Sequence, residues 1–267
     1  MTVRMSALVG TVVHEARMAM RARVLWLSMA PAVLLSVLLG LGSPAVNGLA
    51  DPVARIGAWA MLLTTFCSIA LAVALADRFS RLQRRAQPGL AELLETTPGS
   101  RSVRMLGTLA GPVAVGLGPV AVLLALVCVG TALTEGGAGP VLFAGLVALI
   151  TVVVPGALAA TALAALLALL VPVAVARVAV VAVWFWSTHL NSELLPVPTL
   201  ARTVFSPLGG YPAAAWLHAA PAWAAGSRPG PLSPPPTSAA ALLSVLLVLG
   251  IATVCFIAAR AVVARRT

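Results

Sequence analysis

Apolar and polar positions along this chain fall into long blocks rather than short alternations. Near-continuous apolar runs cover residues 24–41, 56–76, 102–133, 141–171, 173–187 and 239–259. A helix needs about 20 such residues to cross a bilayer, so the pattern predicts an all-α, polytopic membrane protein with six spans. Short alternating segments, the mark of a membrane barrel, are missing from runs such as VAVLLALVCVGTAL. Pro31, Pro112 and Pro119 fall inside predicted spans and predict bends, and Pro155-Gly156 predicts a break or tilt in the fourth. Gly42-Ser43-Pro44 opens a loop to about Pro52, and a Gly-rich turn at 135–140 joins the third and fourth spans.

Ahead of the first span, residues 3–22 have helical periodicity. Met5, Leu8, Val9, Val12, Val13, Ala16 and Met20 share one face; Arg4, Ser6, Thr11, His14, Glu15, Arg17 and Arg21 share the other. That pattern predicts a helix lying in the headgroup plane. A secretory signal, with cleavage near Ser43-Pro44-Ala45, is the alternative; the charged lead is too long and too well patterned for it. Residues 188–238 fit neither a span nor a free loop. They are apolar yet broken by prolines, which predicts re-entrant or interfacial half-helices on the outer side, with 228–237 (RPGPLSPPPT) as a stiff connector.

Composition supports the membrane reading. Hydrophobic residues are 61% and charged residues 9%, with a mean hydropathy of +1.06, against roughly 25% charged residues in soluble domains. The net charge of +10 comes from arginines spread through the loops, with no lysine in the chain. Scattered in this way, they predict topology signals and headgroup anchors rather than a nucleic-acid surface. The alanine, valine and arginine bias suggests a GC-rich bacterial gene. With the N-terminus, 77–104, 172–177 and the C-terminus placed inside, every arginine but Arg55, Arg202 and Arg228 is internal. Both termini are therefore expected in the cytoplasm of a bacterial cell, with six spans in its inner membrane. Trp59, Trp184, Trp186, Trp216 and Trp223 are expected in the outer interfacial belt.

Several chemistries are absent from the pattern. A P-loop needs a lysine on the phosphates, and none exists here, so no ordinary ATP site is expected on this chain. Nor do paired carboxylates or a buried ionisable group fall within a span, which argues against a self-powered transporter and an intramembrane enzyme. No catalytic residue is assigned. His189, Glu193 and His218 form the nearest thing to a metal set, but the His-Glu-x-x-His spacing of zinc proteases is missing, and they are read as ordinary interfacial groups. Cys67, Cys128 and Cys255 lie in apolar segments and are read as packing residues. Gly107 and Gly111 form a G-x-x-x-G, and Gly156, Ala160, Ala164 and Ala168 line one face of the fourth span; both predict close helix packing.

The one long polar interval is Asp77–Gly111, between the second and third spans. Arg78, Arg81, Arg84, Arg85, Arg101 and Arg104 are its topology and headgroup anchors. Asp77 to Arg85 continues the second span as a basic helix. Gln87-Pro88-Gly89 breaks it, Pro88 suits the first turn of a new helix, and Pro98-Gly99 ends that helix. Leu90, Leu93 and Leu94, at i, i+3 and i+4, give it one apolar face, with Glu92 and Glu95 pointing elsewhere. Such a short helix at 88–97 can insert into a partner's groove.

The segment PGLAELLETTPGSRSVRMLGTLAG resembles the cytoplasmic loop of ABC-2 type transporter permeases, where such a run forms the coupling helix and the start of the third span. The matching positions are Gly89, Glu92, Leu93, Leu94, Thr97, Pro98, Ser100, Arg101, Gly107 and Gly111. Thr108 stands where the family commonly has lysine, and Gln87-Pro88 replaces a more usual charged pair. Phe205-Ser206-Pro207-Leu208 is similar to the family's element after the fifth span.

The resemblance implies the permease subunit of an ATP-binding-cassette exporter moving amphipathic or lipid-like cargo such as drugs, antibiotics, peptides or glycolipids. It implies a homodimer or heterodimer with a second permease subunit, and a substrate cleft lined by the first, second and fifth spans. A separate ATPase subunit would dock on Pro88, Gly89, Leu90, Glu92, Leu93, Leu94, Glu95, Thr97 and Pro98. ATP and magnesium would sit on that partner, leaving this chain without a cofactor. The alternative is a non-transporting immunity or signalling module that docks a regulatory partner through the same loop.

Overall fold

The computed structural model describes residues 2–84, 101–190, 198–220 and 231–265, with side chains for all of these but 2–7, 80–84 and 101–105. The described residues are overwhelmingly helical and include no strand. In chain order the helices are α1 (Thr2–Met20), α2 (Arg23–Gly42), α3 (Pro44–Asn47), α4 (Pro52–Arg84), α5 (Arg101–Glu135), α6 (Ala138–Ala148), α7 (Val154–Leu170), α8 (Val173–Thr188), α9 (Gly210–Trp216) and α10 (Ser238–Arg265). The loop expected after the first span thus contains the short helix α3.

Five stretches are long and apolar enough to cross a membrane: Arg23–Gly42, Pro52–Phe79, Leu106–Glu135, Ala138–Leu170 and Ser238–Arg265. The chain is a multi-pass membrane protein by this measure. The segment expected as the fifth span, α8, has 16 residues. At about 1.5 Å per residue it covers only about 24 Å, short of a hydrocarbon core of about 30 Å. Outward-facing side chains match a lipid solvent. Leu27, Leu34 and Leu38 on α2, Leu126 and Leu133 on α5, and Leu246, Val254 and Ile257 on α10 are all exposed, a pattern that would drive aggregation in water.

Helix α4 is the hub. It packs against α2, α5, α6, α7 and α8 and is the most enclosed of the five crossing segments. Its start is written in the sequence: Pro52 takes the first helical position, and Asp51 Oδ1 accepts the Val53 N–H at 2.9 Å as an N-cap. The predicted alanine face of the fourth span is real. Ala160, Ala164 and Ala168 are buried on α7, which packs on α4, α8 and α10. Buried hydroxyls on α4 and α7 return to their own helix: Thr64 donates to the Ala60 carbonyl, Thr65 to Met61 and Thr161 to Ala157.

Residues 138–170 form one continuous helix rather than breaking at Pro155. A wider π turn at Leu149–Val153 joins α6 to α7, and the Val154 N–H bonds to the Leu149 carbonyl. Pro155 has no N–H to give, and the turn that precedes it absorbs the mismatch without ending the helix. Gly156 follows, at a crossing where a Cβ would lie 2.8 Å from the Pro207 carbonyl oxygen. The outer segment therefore packs directly on the turn.

Helix α1 lies across α5, and the G-x-x-x-G predicted from sequence is its seat. A Cβ on Gly111 would fall 2.7 Å from the Val12 carbonyl oxygen and 2.8 Å from the Ala16 nitrogen, and one on Gly107 would meet Thr11. The helix is rolled relative to expectation. Its packed side runs through Leu8, Thr11, Val12, Glu15, Ala16 and Ala19, while Val9, Val13 and Met20 stay exposed. In water the apolar stripe would turn inward; against lipid it can stay out, and Glu15 turns in to meet Arg78.

The tryptophans also correct the reading. Trp59 and Trp184 are 4% and 2% exposed and sit inside the bundle. Trp216 and Trp186 are partly buried, Trp186 donating to the Pro198 carbonyl at 3.1 Å. Trp223 lies outside the described residues. Among the described residues the exposed tryptophan is Trp26 near the start of α2, donating to the Met20 carbonyl at 2.8 Å.

Candidate functional site: two polar ends and the cavities between them

Ion pairs close each end of the bundle. At one end Arg78 Nη1 approaches Glu15 Oε2 at 3.5 Å, tying α4 to α1. At the other, Arg55 pairs with Glu135 across α4 and α5 and donates to the Leu49 carbonyl at 2.8 Å. Arg55 and Arg78 are both on α4, so these ends lie about 35 Å apart at helical rise, a bilayer's hydrocarbon core plus its margins.

Helix α4 continues without interruption to Arg84, which carries the predicted basic extension. Arg78 joins Glu15, while Arg81 and Arg84 occupy the last turns of the helix. The predicted anchors Arg101 and Arg104 occupy the first turn of α5. Arg85 and the predicted docking helix, Pro88–Pro98, lie outside the described residues. What the structure fixes is their frame: two helices leading into and out of one end, braced by α1.

The opposite end carries His218, whose Nδ1 lies 2.8 Å from Asp51 Oδ2. Burial favours the neutral acid, but the His218 hydrogen bond and the Val53 N–H together hold the Asp51 carboxyl below the usual aspartate range. Because the folded value is lowered, this contribution is present above the unfolded value, about 3.9, and fades as pH falls through the folded one. Asp51→Ala should cost about 1 kcal/mol through the lost cap. In Asp51→Asn, the thermal midpoint should fall less on acidification than that of wild type; unfolding scans between about pH 3 and pH 7 check this.

Of the trio considered as metal ligands, the two histidines are among the described residues and each has a near neighbour. His218 is engaged with Asp51, His189 Nδ1 lies 2.6 Å from Thr188 Oγ1, and Glu193 lies outside the described residues. Among the described residues no group of three or more His, Cys, Asp or Glu side chains comes together. The three cysteines are unbridged, with Cys67 and Cys128 buried in the core.

Two cavities adjoin the outer segment. One, of about 130 Å³, is lined by Ala160, Leu163, Trp184, Phe205, Val248 and Ile251. It is almost wholly apolar, and the Trp184 Nε1–H is buried without an acceptor. The other, of about 290 Å³, lies among Val46, Met61, Thr65, Thr188, His189 and Arg202. From sequence, Arg202 was only one of the outer-loop charges. The cue to more was its place inside an apolar, proline-broken stretch, where an ionisable group is costly.

No protein-family model, curated protein or solved structure matches this chain.

Proposed function

We propose that this chain is the permease subunit of an ATP-binding-cassette exporter in a bacterial inner membrane. A separate ATPase subunit would drive it, and an amphipathic or lipid-like substrate would leave the cytoplasm through it. The observation that carries the reading is the segment 89–111, with its resemblance to the ABC-2 coupling loop, set between α4 and α5 at the arginine-rich end. The continuous run of α4 supports a lever: one helix joins the loop's entrance at Arg84 to the capped start at Asp51. Nucleotide binding in the partner would tilt this hub and with it the helices packed around it, a rigid-body transition biased from a distance.

In this reading α8 completes a set of six crossings, its shortness made up by the 188–238 segment as outer half-helices, and both termini face the cytoplasm. A second permease subunit, identical or related, pairs with the first. The enclosure of α4 leaves α2 and α8 to offer the open walls of a cleft between subunits: Leu34 and Leu38 on α2 and Val175 and Val178 on α8 are exposed. Isolation of the chain from its native membrane in mild detergent tests the partnership. A stoichiometric, ATP-hydrolysing subunit without spans is expected; a complex holding no ATPase would defeat the reading.

A further inference from the structure

Arg202 stands apart from the other described charges at its end of the bundle. Arg55 has Glu135, and Asp51 has His218; among the described residues Arg202 makes no side-chain hydrogen bond or ion pair, and its Nη1 is buried without a partner there. The two described carboxylates at that end are thus already committed. A partly buried guanidinium without an anion is costly.

The backbone holds it there regardless. Arg202 has a φ of 62°, in the left-handed region that a residue with a side chain seldom adopts. The conformation is fixed from behind: Ser233 Oγ donates to the Arg202 carbonyl at 3.1 Å, and the Val204 N–H donates to the Leu232 carbonyl at 3.0 Å. Strain maintained by surrounding bonds marks a position built for something other than stability.

What Arg202 adjoins is the cavity of about 290 Å³. Met61, Leu62 and Leu208 supply an apolar wall, and Thr65, Thr188 and His189 supply polar edges. The Thr188 hydroxyl donates to the Trp184 carbonyl at 2.7 Å. Its oxygen must therefore accept from His189 Nδ1, and Nε2 is left as the free ring nitrogen. One unpaired cation beside an apolar wall, in a volume of this size, fits a charged head attached to a hydrocarbon.

The geometry points to a binding site for an anionic amphiphile, its phosphate or carboxylate head on Arg202 and its tail against Met61, Leu62 and Leu208. The site goes beyond the exporter reading and does not depend on it, since binding needs no ATPase and is measured without one.

The test is thermal unfolding of the full-length protein in a non-ionic maltoside detergent, titrated with dodecyl phosphate, dodecanoate, dodecanol and inorganic phosphate. Dodecyl phosphate and dodecanoate should raise the midpoint, as a ligand of the folded state does; dodecanol and inorganic phosphate should not at the same concentration. Arg202→Gln should raise the half-maximal dodecyl phosphate concentration at least about tenfold, the scale of a charge-assisted hydrogen bond, and Arg202→Lys should recover part of it. Should Arg202→Gln fail to fold, Ala45→Trp serves instead. Ala45 is an exposed residue at the cavity's edge, and a bulky ring there should block binding while leaving the fold intact.

Equal shifts from dodecanol and dodecyl phosphate, or Arg202→Gln or Ala45→Trp binding as wild type, would overturn the proposal. Inorganic phosphate alone matching dodecyl phosphate would overturn it too, by removing the tail from the site. Mass spectrometry of the purified protein names the source. Anionic phospholipid carried through and released only on unfolding points to the bilayer, and a cavity that fills only on titration points to a soluble amphiphile.

Discussion

Gly111→Leu is expected to detach α1 from α5 and to destabilise that end of the bundle by roughly 3 kcal/mol, about a hundredfold in its opening equilibrium. Overpacking is tolerated when a flexible side chain can move aside, but here the neighbours are backbone. The Val12 carbonyl oxygen and the Ala16 nitrogen lie 2.7 and 2.8 Å from where the first added carbon would stand. Neither can retreat without shifting the whole of α1, which carries Glu15 away from Arg78. Hydrogen exchange should show the amides of α1 exchanging about a hundredfold faster while those at the centre of α4 hold. Gly10→Leu is the control. That glycine is on α1, with open space around its Cβ position, so the change should stay within about 0.5 kcal/mol. Equal effects at the two positions would mean that α1 does not depend on this seat.

Leu93→Asp together with Leu94→Asp is expected to weaken ATPase association at least about a hundredfold, while membrane insertion and orientation stay as in wild type. Docking through an apolar stripe would place these leucines in the partner's groove, where losing a central anchor costs about 2 kcal/mol or more. A carboxylate buried without a partner adds to that cost. Orientation should survive because it rests on arginines, which neither substitution touches. Arg81→Gln with Arg85→Gln should do the reverse, weakening topology signals more than docking. Quantifying the ATPase retained on each variant after washing separates the two roles. Retention unchanged in the leucine double variant would place the docking surface elsewhere.

The sequence made the membrane class and the small-residue contacts readable, because each rests on a local rule. Gly107-x-x-x-Gly111 announces a crossing whatever the neighbours turn out to be, whereas a second span read from residue 56 passes over the capped start at Asp51-Pro52. What depended on neighbours was less legible. The amphipathic stripe of α1 predicted which residues share a face but not which face packs, since lipid accepts Val9 and Val13 as readily as a core does. Trp59 and Trp184 stand near the ends of apolar runs, where a belt would place them. Yet the glycine at Gly40 and the alanine face of α7 open room for their rings inside. The π turn before Pro155 and the left-handed backbone at Arg202 are answers to tertiary constraints, and no local pattern encodes either. For the docking helix, pattern and resemblance carry the argument, because Pro88–Pro98 lie outside the described residues.

The central claim is that a soluble ATPase sits on residues 88–97, and a photo-crosslinker placed at Leu93 in living cells tests it most directly. A benzophenone side chain there, irradiated before the membrane is disrupted, should yield one dominant adduct whose second component is a nucleotide-hydrolysing protein without membrane spans. Adducts to lipid, to this chain's own helices, or to a protein without an ATP site would contradict the account.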